Sequence, residues 1–77
     1  MNQSYAPFNA EAFKRLLGSK GVSITDLAKC LGISKSAMHR KMYGISDFTR
    51  TEIIQIREIL EVGAEVLTPI FFDLQVS

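Results

Sequence analysis

The segment "LAKCLGISKSAMHRKMYG", residues 27–44, is the most informative part of this 77-residue chain. An apolar run ends at Gly32, which tolerates a left-handed turn, and a second helix-like run follows at once. Ala28 is small enough for another helix to approach, and Ile33 and Met38 are placed to hold the second helix across the first. The segment therefore predicts two short helices joined by a tight turn, with the start of the second helix exposed.

One local pattern predicts four helix starts. A Ser, Thr, Asn or Asp side chain caps the first turn, and apolar residues one position before and four after it clamp the entering chain. The sequence repeats this arrangement at Asn9, Ser23, Ser34 and Thr49. We therefore expect helices near residues 10–20, 24–31, 35–43 and 50–62. We expect four glycines to close them: Gly21, Gly32, Gly44 and Gly63.

Apolar residues at helical spacing predict one core and an all-α fold, a compact bundle of four to five helices. The predicted core residues are Phe13, Leu16, Leu17, Leu27, Ala28, Leu31, Met38, Met42, Ile53, Ile56 and Leu60. The length favours a single domain over residues 1–77, and it is too short for a deep catalytic cleft between lobes. Within that domain we expect the bundle core at 9–62 and a C-terminal segment at 64–77.

The C-terminal segment combines two local patterns. Residues 67–72, "LTPIFF", predict a short helix with Thr68 as its cap and Pro69 at its first position. Residues 72–77, "FDLQVS", alternate apolar and polar side chains, as a half-buried strand does. We expect the excess of apolar residues to form a self-association surface. Its predicted members are Ile70, Phe71, Phe72, Leu74 and Val76. The alternative is that the two phenylalanines only cover the core of their own bundle.

Charge is distributed unevenly along the chain. Residues 1–50 hold eight Lys and Arg against three Asp and Glu, whereas residues 51–77 hold one against five. A basic front half favours a polyanionic partner, with the acidic half pointing away from it. Cys30 is the only cysteine, which excludes an intramolecular disulfide, and its apolar neighbours suggest that it is buried. With no apolar span or secretory leader in the sequence, we expect a cytoplasmic protein.

Two stretches resemble the Xre/Cro-like helix-turn-helix regulators of bacteria and their phages. They are "SITDLAKCLGISKSAMHRKMYG", residues 23–44, and "SDFTRTEIIQIREIL", residues 46–60, whose Phe-Thr followed by a Glu-Ile helix start recurs in prophage regulators of this type. The resemblance covers roughly residues 11–62. It implies a five-helix fold and binding to operator DNA, commonly as a dimer.

The resemblance also implies which residues contact DNA. Base contacts fall on the start of the second helix of the pair, at Ser34, Lys35, Ser36, His39 and Arg40. Lysine and arginine can donate to guanine, arginine through a bidentate fork. A neutral His39 could both donate and accept a hydrogen bond, whereas a charged His39 could contact a phosphate. Phosphate contacts are predicted at Ser23, Thr25, Lys41 and Arg50.

Two positions depart from the family pattern. Ile24 stands where the family often has a glutamine that bonds a phosphate. Lys41 stands where an apolar, often aromatic, residue is usual. Either the stem of Lys41 covers the core while its ammonium reaches solvent or phosphate, or Met42 provides that packing instead.

Other interpretations compete with DNA binding. Lys and Arg on a short helix are usually a solvated face, and a helix-turn-helix scaffold can also serve as a protein-interaction or antitoxin-like adaptor. We expect neither enzyme activity nor a cofactor, because no paired acid and base occurs in a suitable context. We also expect no metal site, since the chain has one histidine and no ligand-spaced partners. Tyr5 and Tyr43 are expected to be packing residues.

Overall fold

Five helices lie within residues 8–72, the part of the chain that the computed structural model describes. They are α1 (Ala10–Lys20), α2 (Ile24–Leu31), α3 (Lys35–Met42), α4 (Arg50–Leu60) and α5 (Ala64–Phe71). α2 packs against α3 and α4, while α1 packs against α5. No strand occurs within residues 8–72. The predicted all-α bundle is confirmed, and the strand predicted at the end of the chain falls almost entirely outside the described residues.

The four predicted helix starts are confirmed. Each cap side chain accepts a bond from the backbone N–H three residues later, at 3.0 Å for Asn9, Ser23 and Ser34 and 3.1 Å for Thr49. At α4 a second, reciprocal bond forms a capping box, in which Glu52 Oε1 accepts from the Thr49 N–H at 2.9 Å. Such caps are worth about 1 kcal/mol each because they satisfy donors that the first turn leaves unpaired.

The helix ends follow the prediction only in part. Gly21 and Gly32 take the left-handed conformation, with φ of 69° and 72°, and cap α1 and α2. α3 ends one residue before its predicted boundary. α4 ends at Leu60, and the next residue, Glu61, takes the left-handed conformation with φ of 55°. Gly63 therefore does not close α4 as predicted; it is extended and precedes the first residue of α5.

α5 is longer than the short helix that the sequence predicted. It begins at Ala64, so Thr68 and Pro69 lie inside it rather than at the cap and the first position. The prediction was wrong because Gly63 starts this helix without a side-chain cap. Its buried side chains recur at helical spacing and face the core: Leu67, Ile70 and Phe71.

Four phenylalanine rings join distant parts of the chain. Every pair among Phe8, Phe13, Phe48 and Phe71 is in ring contact, with centroids 5.1–6.2 Å apart. Aromatic pairs of this kind contribute about 0.5–1.5 kcal/mol beyond the burial of their area. The cluster holds the start of α1, the loop before α4 and the end of α5 together.

The predicted core residues lie inside, with Leu16 and Ile53 only partly buried. Cys30 was predicted to be buried, and this was wrong, because its side chain is exposed. The inward face of α2 consists of Leu27, Ala28 and Leu31. A helix turns about 100° per residue, which places position 30 outside that face although apolar residues precede and follow it.

Candidate DNA-binding surface

α3 has one buried face and one exposed polar face. Met38 and Met42 are buried and attach the helix to the core. The five side chains predicted to contact bases are all exposed: Ser34, Lys35, Ser36, His39 and Arg40. An exposed helix of this kind has the dimensions that the major groove of B-form DNA admits.

The turn between α2 and α3 determines how α3 is presented. Gly32 donates its N–H to the Lys29 carbonyl, and Ile33 donates to the Ala28 carbonyl, each at 3.1 Å. These bonds satisfy carbonyls at the end of α2. Ser34 then caps α3 by accepting from the Ala37 N–H. Its hydroxyl proton remains available to a ligand, since the cap uses only the oxygen as acceptor.

His39 and Tyr43 are neighbours on the exposed face of α3. Their ring centroids are 4.4 Å apart, with the planes inclined at 58°. Tyr43 is 58% exposed, so the prediction that it packs into the bundle was wrong. Tyr5 lies outside the described residues. The ring of Tyr43 therefore extends the polar face of α3 with an aromatic surface.

Three of the predicted phosphate contacts are exposed at helix starts. Ser23 precedes α2, Thr25 lies in its first turn, and Arg50 is the first residue of α4. Backbone N–H groups at a helix start favour a negatively charged ligand. The position of these residues is therefore compatible with phosphate contacts.

Lys41, the fourth predicted phosphate contact, points inward instead. Its side chain is 13% exposed, and Nζ lies 3.0 Å from Glu52 Oε1. The ammonium also donates to the Asp47 carbonyl at 2.9 Å and lies 5.8 Å from the centroid of the Phe48 ring. Because these contacts hold the ammonium within the protein, the position of Lys41 does not support its predicted phosphate contact. Met42 is buried, so it supplies the packing that the family pattern expects at this place.

Glu52 is the buried charged residue of this cluster. Burial disfavours its ionised form, but the hydrogen bond from the Thr49 backbone and the bond and charge of Lys41 outweigh that effect. The net result is a pKa of Glu52 below its usual value of 4.5. The carboxylate is therefore ionised, and it pairs with Lys41, over the whole neutral range.

The comparison with protein families shows to which family the chain belongs. The model of the Cro/C1-type HTH DNA-binding domain matches residues 12–65, more than half of the chain. The chain belongs to this family. The predicted resemblance is thereby confirmed, and the match includes the α2–α3 pair and the whole of α4. Comparisons with curated proteins and with solved structures gave no significant match.

The Cro/C1-type domain carries two exposed cations on α3, Lys35 and Arg40, and no acidic residue on this helix. Part of this pattern has a structural reason, since cations in the last turn of a helix offset its dipole. Lys35 at the first position has no such reason, because a cation there opposes the dipole. Its placement favours a role in binding a polyanion.

Within residues 8–72, the Cro/C1-type domain has neither a cluster of metal-binding side chains nor a helix suited to a membrane. No three His, Cys, Asp or Glu side chains are grouped so that they could hold a metal ion. None of the described helices is long and apolar enough to cross a membrane.

The predicted self-association residues of the Cro/C1-type domain fall into different places. Ile70 and Phe71 are buried in the core of their own bundle, which corrects their prediction as contact residues. Phe72 is 51% exposed. Leu74 and Val76 lie outside the described residues. α5 therefore contributes mainly to the core. For Phe71 this agrees with the alternative interpretation, in which the phenylalanines cover the core of their own bundle.

The ion pair between Lys41 and Glu52 was not predicted from the sequence. Two signals for it were present in the sequence: a lysine where the family usually has an apolar residue, and a glutamate at the third position after the Thr49 cap. Eleven positions separate the two side chains, so no local pattern links them. The pair forms only because the loop between α3 and α4 folds back on α3.

Proposed function

We propose that this Cro/C1-type domain is a sequence-specific transcriptional regulator of phage or prophage origin that binds double-stranded DNA in the cytoplasm, as a repressor. The observation that carries the proposal is the division of α3 into a face buried by Met38 and Met42 and an exposed face that holds every predicted base contact. A helix attached in this way can enter the major groove without disturbing the core.

Each exposed side chain of α3 has a role that follows from its chemistry. Arg40 can fork onto N7 and O6 of a guanine, and Lys35 can donate to the same atoms as a single cation. Ser36 can donate or accept with several bases. His39 hydrogen-bonds a base edge, beside the ring of Tyr43. Together these residues give α3 enough donors to distinguish base pairs.

The residues that flank α3 fix its position on the backbone. Ser23, Thr25 and Arg50 are exposed at helix starts, where backbone N–H groups attract phosphate oxygens. Such contacts set the orientation of the domain but carry no sequence information. They also make binding sensitive to salt, because each neutralised phosphate releases counterions.

Selection of binding sites from random duplexes tests the proposal. We expect the purified protein to enrich a site with two-fold symmetric halves about one helical turn apart. Arg15→Ala is a matched control, because Arg15 is exposed on α1 and takes no part in the proposed surface; this variant should select the same site. Equal binding to all duplexes, without a consensus, would contradict the proposal.

We also propose that the protein acts as a homodimer on DNA, with Phe72 in the contact. Phe72 and Ile54 are about half exposed and line a small, mainly apolar groove between α4 and α5, with a volume of about 100 Å³, which does not include Arg50. A two-fold contact uses each side chain twice, so few residues are needed. Sedimentation of the wild type and of Phe72→Ser tests this: the wild type should be dimeric at high micromolar concentration and the variant monomeric. A monomeric wild type, with and without its site, would exclude the dimer.

The same groove supports the second candidate function, a protein-interaction or antitoxin-like adaptor that uses its apolar surface. Phosphate-mediated DNA binding weakens steeply as salt is raised, whereas an apolar protein contact barely changes. The salt dependence of complex formation therefore separates the two functions.

A further inference from the structure

The loop between α3 and α4 is fastened to α3 by one side chain. Lys41 reaches over this loop to the Asp47 carbonyl and to Glu52 in the first turn of α4. Two backbone bonds hold the other end of the loop, since Ile45 and Ser46 both donate their N–H groups to the Arg40 carbonyl, at 2.9 and 3.3 Å. The start of the loop is thus bonded to the last turn of α3, and Lys41 joins the same turn to the first turn of α4.

One oxygen of Glu52 serves both helices. Oε1 accepts from Lys41 Nζ at 3.0 Å and from the Thr49 N–H at 2.9 Å. The first contact orients the carboxylate toward α3, and the second closes the cap of α4. Arg50 lies between Thr49 and Glu52, so its backbone is held on both sides by this arrangement.

Lys41 is also the next residue after Arg40. Its side chain points inward, whereas Arg40 points to solvent. The ion pair therefore connects the backbone that carries Arg40 with the backbone that carries Arg50. These are the proposed guanine contact and the proposed phosphate contact.

We propose that Lys41 and Glu52 are positioning residues for DNA recognition: their ion pair sets the distance between Arg40 and Arg50, and so makes base contact and phosphate contact simultaneous. This inference rests on the proposed function. DNA has a fixed geometry, so a duplex can meet both arginines only if the two helices keep their relative position. A phosphate cannot take the place of Glu52 without leaving a buried carboxylate unpaired.

Three variants test the proposal: Lys41→Met, Glu52→Gln and the double variant. We expect each single variant to bind the selected site about tenfold more weakly, a loss of about 1.4 kcal/mol, while binding to random duplexes changes little. The salt dependence should stay the same, because no phosphate contact is lost. The double variant should resemble the single ones, since the second change removes an interaction that is already broken. Lys14→Met removes an exposed charge from α1 and should change neither affinity.

Two results would overturn the proposal. If Lys41→Met weakens all duplexes alike and lowers the salt slope by about one, while Glu52→Gln does not, Lys41 contacts a phosphate. If both variants only lower the melting temperature and keep full selectivity where they are folded, the pair serves stability alone. Failure of the proposed function would be recognised separately, because the wild type itself would then select no site.

Amide exchange provides a measurement that does not depend on DNA. The Thr49 N–H is bonded to Glu52, and the Ile45 N–H to Arg40. In Lys41→Met these two amides should exchange faster than in the wild type, while those of α1 keep their rates. If Lys41→Met does not fold, Lys41→Arg is measured instead. This variant keeps the charge, so the two amides should exchange as slowly as in the wild type. Unchanged exchange at Thr49 and Ile45 in Lys41→Met would show that Lys41 does not position α4.

Discussion

The backbone N–H of Asn9 donates a 2.8 Å hydrogen bond to the carbonyl of Ile70, which joins the start of α1 to the last turn of α5. The bond satisfies a carbonyl that the end of a helix leaves unpaired. The rings of Phe8 and Phe71, next to these two residues, lie 5.1 Å apart. α5 therefore closes the bundle against α1, although only its second half was predicted as a helix.

Because α5 closes the bundle in this way, Phe71→Ala should strongly lower the free energy of unfolding. Phe71 is 7% exposed and contacts three other phenylalanine rings, so its removal should cost about 3–5 kcal/mol of unfolding free energy. Val66→Ala is the control on the same helix, because its side chain is exposed and takes no part in the phenylalanine cluster; it should cost about 1 kcal/mol or less. Urea unfolding of both variants checks the contrast. Equal losses would mean that Phe71 is not in the core.

Glu52 predicts how stability depends on pH. Its pKa is lowered in the folded protein, so its contribution is present above the unfolded value near 4.5 and is lost as the pH falls through the lower folded value. At pH 7, Glu52→Gln should cost about 1–2 kcal/mol, and the difference from the wild type should shrink below about pH 4.5. Unfolding at pH 3 to 7 measures this. Glu58→Gln, an exposed change on the same helix, should have little effect at any of these pH values.

The left-handed backbone at Glu61 predicts a stabilising substitution. A residue with a side chain is strained at φ of 55°, whereas glycine adopts this conformation readily. Glu61→Gly should therefore raise the unfolding free energy by about 1 kcal/mol. Glu58→Gly, inside α4, should lower it by about the same amount. A loss of stability in Glu61→Gly would show that the side chain makes a contribution larger than the strain.

Arg40 and Arg50 should respond differently to truncation. If Arg40 forks onto a guanine, Arg40→Ala should cost about 1–3 kcal/mol on the selected site and relax the preference at one base position. Arg50→Ala should weaken all duplexes alike and reduce the salt slope by about one. Binding titrations on selected and random duplexes at several salt concentrations compare the two. An equal loss on both kinds of duplex for both variants would place Arg40 on a phosphate.

Ser34 offers a test that separates folding from binding. Asp caps helices as well as Ser does, so Ser34→Asp should keep the stability, while Ser34→Ala should lose about 1 kcal/mol. On DNA the order should reverse, because a carboxylate at the start of α3 repels phosphates and base acceptors, whereas alanine does not. Thermal unfolding and DNA titration of both variants are required. Strong DNA binding by Ser34→Asp would exclude Ser34 from the DNA surface.

The extent to which the sequence predicted this fold depended on how local each feature is. The caps at Asn9, Ser23, Ser34 and Thr49 act within one helical turn, so their residue types were enough to place four helices. α5 was misplaced because Gly63 begins it without a side-chain cap, and Thr68 and Pro69 imitate a helix start within it. Its burial could have been recognised from the helical spacing of Leu67, Ile70 and Phe71.

For the candidate site, the residue types were enough to locate the exposed face of α3, but they did not predict the direction of every side chain. The exposed face of α3 followed from its position opposite Met38 and Met42. The inward turn of Lys41 could not be predicted, because its partner Glu52 comes close only through the loop fold. For Cys30, hydrophobic neighbours in sequence were misleading, since adjacent helical positions point in different directions.

The two faces of α3 differ in how firmly they are tied to the rest of the protein. Within residues 8–72, no hydrogen bond or ion pair involves the side chains of Lys35, Ser36 or Arg40. Met38, Met42 and Lys41, by contrast, are bound into the core or to α4. Substitution of the outward residues one at a time should therefore cost little folding stability. If α3 reads bases as proposed, substitutions of the outward residues can change the preferred DNA site while the inward residues of the same helix continue to support the fold.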